Sequence, residues 1–241
     1  RRVLGENPAS VPPLGVVGAS AAGALLFGLH PIQSEAVIWV AARNDLMAAA
    51  LGMVALDRGL QHRPTHVDRG IALVATILAG LTKESVVLLP LLLACLHHAM
   101  GWRLRDRKGD YPALVLGIAL VLVMRMFAGV HGAGMPPAEG WQLLASRLVW
   151  VWGELGAFVF VPWPLSVAHV LEYLNRGPLL RVLVGGLLLV LAVGAALVKG
   201  GPRGRAAVGW SVLAVAPAVI SVADKGWIGE RYLYLGLVGP A

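Results

Sequence analysis

Long apolar stretches separated by short polar connections are the dominant pattern of this sequence. They lie at roughly 14–29, 37–56, 70–82, 85–100, 111–130, 143–163, 179–198 and 206–222, and a ninth begins near Tyr232. Their lengths exceed those of buried strands, and several reach the ~17–25 residues of a membrane-spanning helix. The pattern predicts an all-α fold, a polytopic membrane bundle with about seven or eight spanning helices.

The composition supports this interpretation and excludes other classes of protein. Of the 241 residues, 58% are hydrophobic and 14% are charged, and the mean hydropathy is +0.75. A soluble domain carries about 25% charged residues, so we expect the surplus apolar surface to contact a lipid bilayer. The hydrophobicity excludes intrinsic disorder, and a single cysteine, Cys95, excludes a disulfide scaffold.

Positive charge is concentrated in alternate connections, and the net charge is +7. By the positive-inside rule, these clusters predict cytoplasmic loops rather than a nucleic-acid partner. They are Arg1–Arg2, then Arg58, Arg63 and Arg69, then Arg103, Arg105, Arg107 and Lys108, and finally Lys199, Arg203 and Arg205. Residues 30–45, 82–85, 129–142, 164–178 and 223–231 are then expected on the outer side.

Two stretches depart from a simple crossing. The stretch 70–82 is short because Lys83 follows it at once, which predicts a short helix ending at a polar break or one half of a bent element. The loops 103–108 and 199–205 are both expected in the cytoplasm, so the chain between them must cross the membrane an even number of times. Three apolar stretches lie between these loops, however. We therefore predict that residues 143–163, which carry Arg147 and Glu154 among several tryptophans, lie along the outer interface or re-enter. The alternative is a local failure of the positive-inside rule.

Three polar groups fall on the predicted outer side and form the candidate substrate-binding site. Their members are His30, Glu35, Arg43 and Asp45 in the first, Lys83 and Glu84 in the second, and Glu230, Arg231 and Tyr232 in the third. Each group also has an ordinary structural explanation: helix capping with an Arg–Asp ion pair, a snorkelling lysine, or an interfacial aromatic belt. Because all three groups lie on the same predicted side of the membrane, we favour a substrate-binding site. The sequence does not identify its catalytic residue.

No cofactor is evident in the sequence. His62, His66 and the pair His97–His98 lie near predicted cytoplasmic helix ends, without carboxylate or cysteine partners at zinc-site spacing. They are expected to be ordinary interfacial histidines. A divalent metal is left open but is not indicated. Gly185–Gly186 is expected to allow close helix packing.

Four segments resemble motifs of the tetratricopeptide-repeat membrane O-mannosyltransferases and their bacterial relatives. Residues 27–37 and 42–46 resemble the run "FxxHPxHTEAVxxxxGRxDLL", and Leu81–Ser85 with Leu89–Pro90 resembles "LSKE…LP". Residues 161–166 are similar to "PWPLS", and residues 230–235 to "ERYLYLP" without its final proline. The departures are Gln33, Ser34, Asn44 and Gly236.

This resemblance implies an inverting GT-C-type glycosyltransferase. Such an enzyme transfers a sugar, possibly mannose, from a polyprenyl-phosphate donor to a hydroxyl of a protein or glycan acceptor. It implies Lys83, Arg43 and Arg231 near the lipid phosphate, with Glu35 and Glu230 orienting these cations or binding sugar hydroxyls. The expected location is a bacterial inner membrane, with the site facing the periplasm or exterior.

The resemblance also implies that the 241 residues form one transmembrane domain of a longer protein. The family's catalytic carboxylate lies in a first outer loop, which is expected upstream of residue 1, and the repeats are expected downstream of residue 241. The fragment is therefore expected to be inactive alone. Two other hypotheses stay open: a transporter or flippase of lipid-linked sugars, although no inverted repeat is seen, and a non-catalytic membrane scaffold that anchors tetratricopeptide repeats.

Overall fold

The protein is predominantly helical in the part of the chain that its computed structural model describes, which is residues 14–31, 37–38, 42–129, 141–160, 169–170, 179–225 and 227–228. The helices are α1 (Leu14–Leu29), α2 (Arg43–Gly59), α3 (His66–Thr82), α4 (Leu89–Ala99), α5 (Pro112–Phe127), α6 (Trp141–Phe160), α7 (Leu179–Lys199) and α8 (Gly201–Lys225). Two 3₁₀ segments, Glu84–Leu88 and Leu104–Asp110, precede α4 and α5. The two-residue strands β1 (His169–Val170) and β2 (Trp227–Ile228) pair antiparallel. The all-α class is confirmed.

Helix α3 shows how polar residues set the helix limits. It begins before the apolar stretch 70–82, because Thr65 and Asp68 form a reciprocal capping box at its N-terminus. These hydrogen bonds also hold the pKa of Asp68 below its usual value. The helix ends at Thr82, since Lys83 adopts an extended conformation with φ −155° and ψ 141°. The predicted polar break after Thr82 is confirmed, but the helix is not short, because capping extends it to 17 residues.

Helices α2 to α5 and α8 enclose the main core. In α3, small and large side chains lie on opposite faces of the helix. Its buried face consists of small residues, while its exposed face carries large aliphatic ones. The buried residues are Ala72, Ala75, Thr76, Ala79 and Gly80; the exposed ones are Val67, Ile71, Val74, Leu78 and Leu81. Small residues at helix contacts are typical of membrane bundles, where backbones approach closely.

Glycine contacts fix the relative directions of the core helices. Gly80 faces Val121 and Gly117 faces Thr76, so α3 and α5 run in the same direction. Gly52 faces Leu89 and Gly59 faces Leu93, so α2 and α4 also run in one direction. Helices α2 and α3 pack against each other in opposite directions, because Arg58 contacts Asp68 and Asp45 contacts Lys83.

This alternation gives the bundle two ends. Residues 43–45 and 82–88 lie at one, called the Lys83 end. Residues 59–63 and 97–110 lie at the other, called the Arg107 end. The grouping agrees with the predicted topology, which placed residues 43–45 and 82–85 on one side and the cation clusters around Arg63 and Arg105 on the other.

Helices α6 and α7 pack through glycines and run roughly parallel. A Cβ atom at Gly153 would overlap Val182, and one at Gly156 would overlap the carbonyl oxygen of Gly185. The expected packing role of Gly185 is confirmed. If α7 crosses a bilayer, α6 cannot lie flat on the interface, so the in-plane placement expected for residues 143–163 does not fit. The re-entrant path and a local failure of the positive-inside rule remain.

One helix within the described ranges is by itself long and apolar enough to cross a bilayer: residues 180–199 of α7, with mean hydropathy 2.5. The segment Leu104–Asp110 and α5 pass the same test together, although they are bent by 53°. Helices α2 and α3 have 17 residues each, at the lower end of the ~17–25 residues of a span. The expected seven or eight spans stay a prediction.

Candidate functional site

An ion pair between Lys83 and Asp45 joins two helix ends. Asp45 lies in the first turn of α2, and Lys83 follows the last residue of α3. The Nζ atom of Lys83 contacts Oδ1 of Asp45, and the two side chains are 29% and 14% exposed. A carboxylate at a helix N-terminus and an ammonium at a C-terminus also suit the helix dipoles. The antiparallel packing of α2 and α3 therefore brings two predicted site residues into contact.

Arg43 does not form the ion pair with Asp45 that was considered above. It is exposed at the start of α2, and the carboxylate of Asp45 contacts Lys83 instead. Residues two positions apart on a helix do not face each other, which explains why Arg43 and Asp45 diverge. Arg43 stays at the Lys83 end, available to a ligand there.

An apolar groove begins beside this ion pair. Its walls come from α2, the segment Glu84–Leu88, α4 and α8, and it is a small, partly open groove with room for about one water molecule. Ala48 and Ala49 lie one turn beyond Asp45, and Ser85 and Val86 follow Lys83 by two and three residues. Leu56, Leu92 and Trp210 line the deeper part. The Lys83 end thus combines a half-buried charged pair with a small apolar groove.

The remaining predicted site residues are only partly located. His30 lies just after α1, where its Nε2 is 3.0 Å from the carbonyl oxygen of Val159 in α6. Glu84 begins the 3₁₀ segment that follows Lys83. Glu35, Glu230, Arg231 and Tyr232 lie outside the described residues. The predicted convergence of all three polar groups therefore stays a prediction.

The strand pair connects two segments that were expected on one side. His169 pairs with Ile228 and Val170 with Trp227. Strand β2 follows α8 almost directly, and β1 belongs to the connection between α6 and α7. The pairing brings together two segments that were expected on the same side, and the outer location of that side stays a prediction.

A second polar cluster, which the sequence did not predict, lies at the Arg107 end. It consists of Arg107, Asp110, His97, Tyr111 and Trp102. Arg107 donates hydrogen bonds to the carbonyl oxygens of Gln61, His62 and Gly59 at 2.5, 2.9 and 3.2 Å. Its guanidinium lies 4.3 Å from the ring centre of Trp102, and its Nε is 2.6 Å from Oδ2 of Asp110. Arg107 therefore ties the end of α2 to the segment before α5.

His97 completes this cluster from α4. Its side chain is fully buried, although the sequence predicted an ordinary interfacial histidine. Nδ1 is 3.0 Å from the hydroxyl of Tyr111, and Nε2 is 3.4 Å from the carbonyl oxygen of Gly59. A carbonyl only accepts, so a neutral His97 carries its proton on Nε2 and accepts from Tyr111.

Asp110 is the buried carboxylate of the cluster, with a side chain 4% exposed. Its burial raises the pKa of the carboxyl group, and the charge of Arg107 partly opposes this rise. The available sequence signal was the three-residue spacing of Arg107 and Asp110. That spacing is common on solvated loops, so it did not stand out.

The described residues contain no group of three or more His, Cys, Asp or Glu side chains that could hold a metal ion. A different buried ion pair joins α6 and α7: Oε2 of Glu154 lies 3.7 Å from Nη2 of Arg181. Because both side chains are largely buried, this pair balances charges that would be costly alone in an apolar region.

Comparisons with known proteins identify no relative. No protein-family model, curated protein sequence or solved structure matches this chain.

Proposed function

We propose that this chain is a multi-span membrane domain of a glycosyltransferase that uses a polyprenyl-phosphate sugar donor. The proposed membrane placement is supported by the exposed apolar surfaces of several helices. Besides α3, exposed large aliphatic residues cover much of α5 and α7, including Leu120, Val123, Leu187 and Leu191. Contiguous apolar surface of this extent is unusual for a soluble monomer and suits contact with lipid.

The single observation that carries the enzymatic part is the Lys83–Asp45 pair at the mouth of the apolar groove. A polyprenyl phosphate has an apolar tail and an anionic head, and the groove and Lys83 offer complementary surfaces to both. Lysine can extend its apolar stem along a helix end while its ammonium reaches the headgroup level. Support also comes from the four motif resemblances, two of which contain Asp45 and Lys83.

In this mechanism, the acceptor oxygen attacks the anomeric carbon of the sugar. The bond from that carbon to the phosphate oxygen breaks, and polyprenyl phosphate leaves with the electron pair. Lys83 stabilises the negative charge that develops on the phosphate, while Asp45 holds the ammonium in place before the donor binds. A carboxylate takes the proton of the acceptor hydroxyl; in the family that this chain resembles, that carboxylate lies in a first outer loop.

Sugar transfer in membranes containing the full-length protein tests this proposal at limiting donor concentration. Lys83→Ala should lower turnover at least ~10-fold, since charge-assisted phosphate contacts contribute roughly 1.5–3 kcal/mol. Lys83→Arg should restore part of it, because guanidinium has a different shape. Arg203→Ala, an exposed cation in α8, is the matched control and should keep full turnover. Wild-type turnover in Lys83→Ala would assign Lys83 a structural role, as in a scaffold.

Labelling with an impermeant maleimide tests the orientation separately. In a Cys95→Ala background, Arg43→Cys should react in intact cells and Arg105→Cys only after permeabilisation. The reverse result would place the Lys83 end in the cytoplasm and remove the proposed site from the outer face.

A further inference from the structure

Charge is unbalanced at the Arg107 end. Between residues 57 and 110, leaving aside Lys83 and Glu84 at the other end, seven Arg and Lys side chains face four aspartates, a formal excess of three positive charges. Three of the cations are paired: Arg58 with Asp68, Arg105 with Asp106 and Arg107 with Asp110. Arg69 lies beside Gly109 and close enough to Asp110 to lower its pKa.

Arg63, Arg103 and Lys108 supply the remaining excess. All three are exposed, and none has a carboxylate oxygen within 4.0 Å in the described part of the chain. Arg63 follows His62, whose carbonyl oxygen is bound by Arg107, and Lys108 follows Arg107 itself. The two loops that carry these cations are therefore joined, so Arg63, Arg103 and Lys108 lie at the same end of the bundle and are here called the cationic surface.

Large aliphatic side chains border the cationic surface. Leu104, next to Arg103, is 50% exposed, and Val67, four residues after Arg63, is 70% exposed. Exposed aliphatic residues then continue along α3 and α5, beginning with Ile71 and Val115. The cations thus lie where the apolar sides of the helices begin, which is the level of the headgroups if these sides contact lipid.

We propose that the cationic surface binds the phosphate headgroups of anionic phospholipids in the surrounding leaflet. The inference rests on the membrane placement proposed above and not on glycosyl transfer. A lipid fits better than a soluble polyanion, because the border of Leu104 and Val67 offers contacts to acyl chains beside the charges. Basic pockets at the ends of membrane helices commonly bind such headgroups.

Lipid binding can be measured on the purified full chain, by native mass spectrometry and by the shift of the unfolding midpoint in mixed micelles. Phosphatidylglycerol should bind and stabilise, phosphatidylcholine should not, and salt should weaken the effect. Each cation near a surface contributes about a fivefold change in affinity. Arg63→Gln with Arg103→Gln and Lys108→Gln should therefore lower affinity roughly 100-fold.

Two single variants on neighbouring positions provide a matched control. Arg103→Gln should lower phosphatidylglycerol affinity about fivefold, whereas Arg105→Gln, which removes a cation already paired with Asp106, should change it little. Equal losses in both would indicate a general charge effect and overturn the proposal. Equal stabilisation by both lipids, or by inorganic phosphate at the same concentration, would also overturn it.

The outcome is distinguishable from a failure of the proposed function. A protein that stays in the membrane fraction but ignores headgroup charge contradicts the lipid-binding surface alone. A protein recovered in the soluble fraction after expression contradicts the membrane placement on which both proposals depend.

Discussion

The two ends of the bundle use charged side chains in opposite ways. At the Arg107 end, Arg107 is 11% exposed and Asp110 is 4% exposed, and the guanidinium also binds three carbonyl oxygens and an aromatic ring. At the Lys83 end, the pair of Lys83 and Asp45 is more exposed and borders a groove. A buried network with many partners holds chain segments together, whereas a half-buried pair beside a groove can exchange its partner for a ligand.

The largest expected effect comes from removing Arg107. Arg107→Ala leaves Asp110 buried without its closest cation and three carbonyl oxygens without their donor. Breaking one partner of a buried pair costs about 3–5 kcal/mol, so the free energy of unfolding should fall by that amount in a detergent-solubilised denaturant titration. Arg105→Ala, on the same segment but 74% exposed, should change it by less than ~0.5 kcal/mol. Similar losses in the two variants would contradict the contrast between the ends.

Exchanging the charges of the Lys83 end separates its structural role from its binding role. Lys83→Asp alone puts two carboxylates together and should lower stability, and adding Asp45→Lys should restore most of it. Donor-limited turnover should stay at least ~10-fold low in the double variant, because the ammonium no longer lies at the helix end that faces the phosphate. Recovery of both stability and turnover would show that the pair only joins helix ends.

The capping box at the Arg107 end should have a smaller effect. Thr65→Ala removes the side-chain acceptor for the backbone N–H of Asp68 and should lower the free energy of unfolding by about 1 kcal/mol. Thr65→Ser keeps the hydroxyl and should retain most of the stability in the same titration. A destabilised serine variant would indicate that packing of the threonine methyl group, rather than the cap, is responsible.

The smallest expected effect is a pH dependence from Asp110, since burial and its neighbours act in opposite directions. The pKa of Asp110 is raised in the folded protein, so the folded state binds this proton more tightly than the unfolded state. Its contribution to stability is present below the ordinary pKa of 3.8 and is lost as pH rises through the raised value.

Comparing Asp110→Asn with the wild type isolates this contribution. The groups facing Asp110, namely His97, Arg107 and Arg69, are common to both proteins. The unfolding midpoint of the wild type minus that of Asp110→Asn should therefore fall as the pH rises above 3.8. A difference that rises with pH would mean that Arg107 outweighs burial and that the pKa is lowered.

Periodicity and composition were sufficient to predict the helices but not all of their ends. Every stretch of the eight contains a helix, because long apolar runs leave few other ways to satisfy the backbone. The start of α3 was missed by four residues, since the cap at Thr65 is polar and lies outside the apolar run. The direction of α6 relative to α7 depends on Gly153, Gly156 and Gly185 fitting together, which no local pattern reveals.

In the candidate site, individual residues were predicted from the sequence but their contacts were not. Asp45 and Lys83 were both predicted by type and position, yet their contact was not, because it depends on how α2 packs on α3. The Arg107 cluster was missed altogether. Its members come from the end of α2, from α4 and from the segment before α5, and His97 alone looked like an ordinary interfacial residue. Long-range contacts of this kind leave no periodic signal.

If α2 and α3 cross a bilayer, as proposed above, their length has a consequence for bilayer thickness around the protein. Seventeen residues rise about 25 Å, whereas the hydrocarbon layer is about 30 Å thick. A bilayer adapts to such hydrophobic mismatch by thinning locally, at a modest cost per ångström. The headgroup plane beside α3 would then be drawn inward, towards Lys83. A lipid phosphate diffusing in that plane would reach the mouth of the groove without leaving the level of its own leaflet.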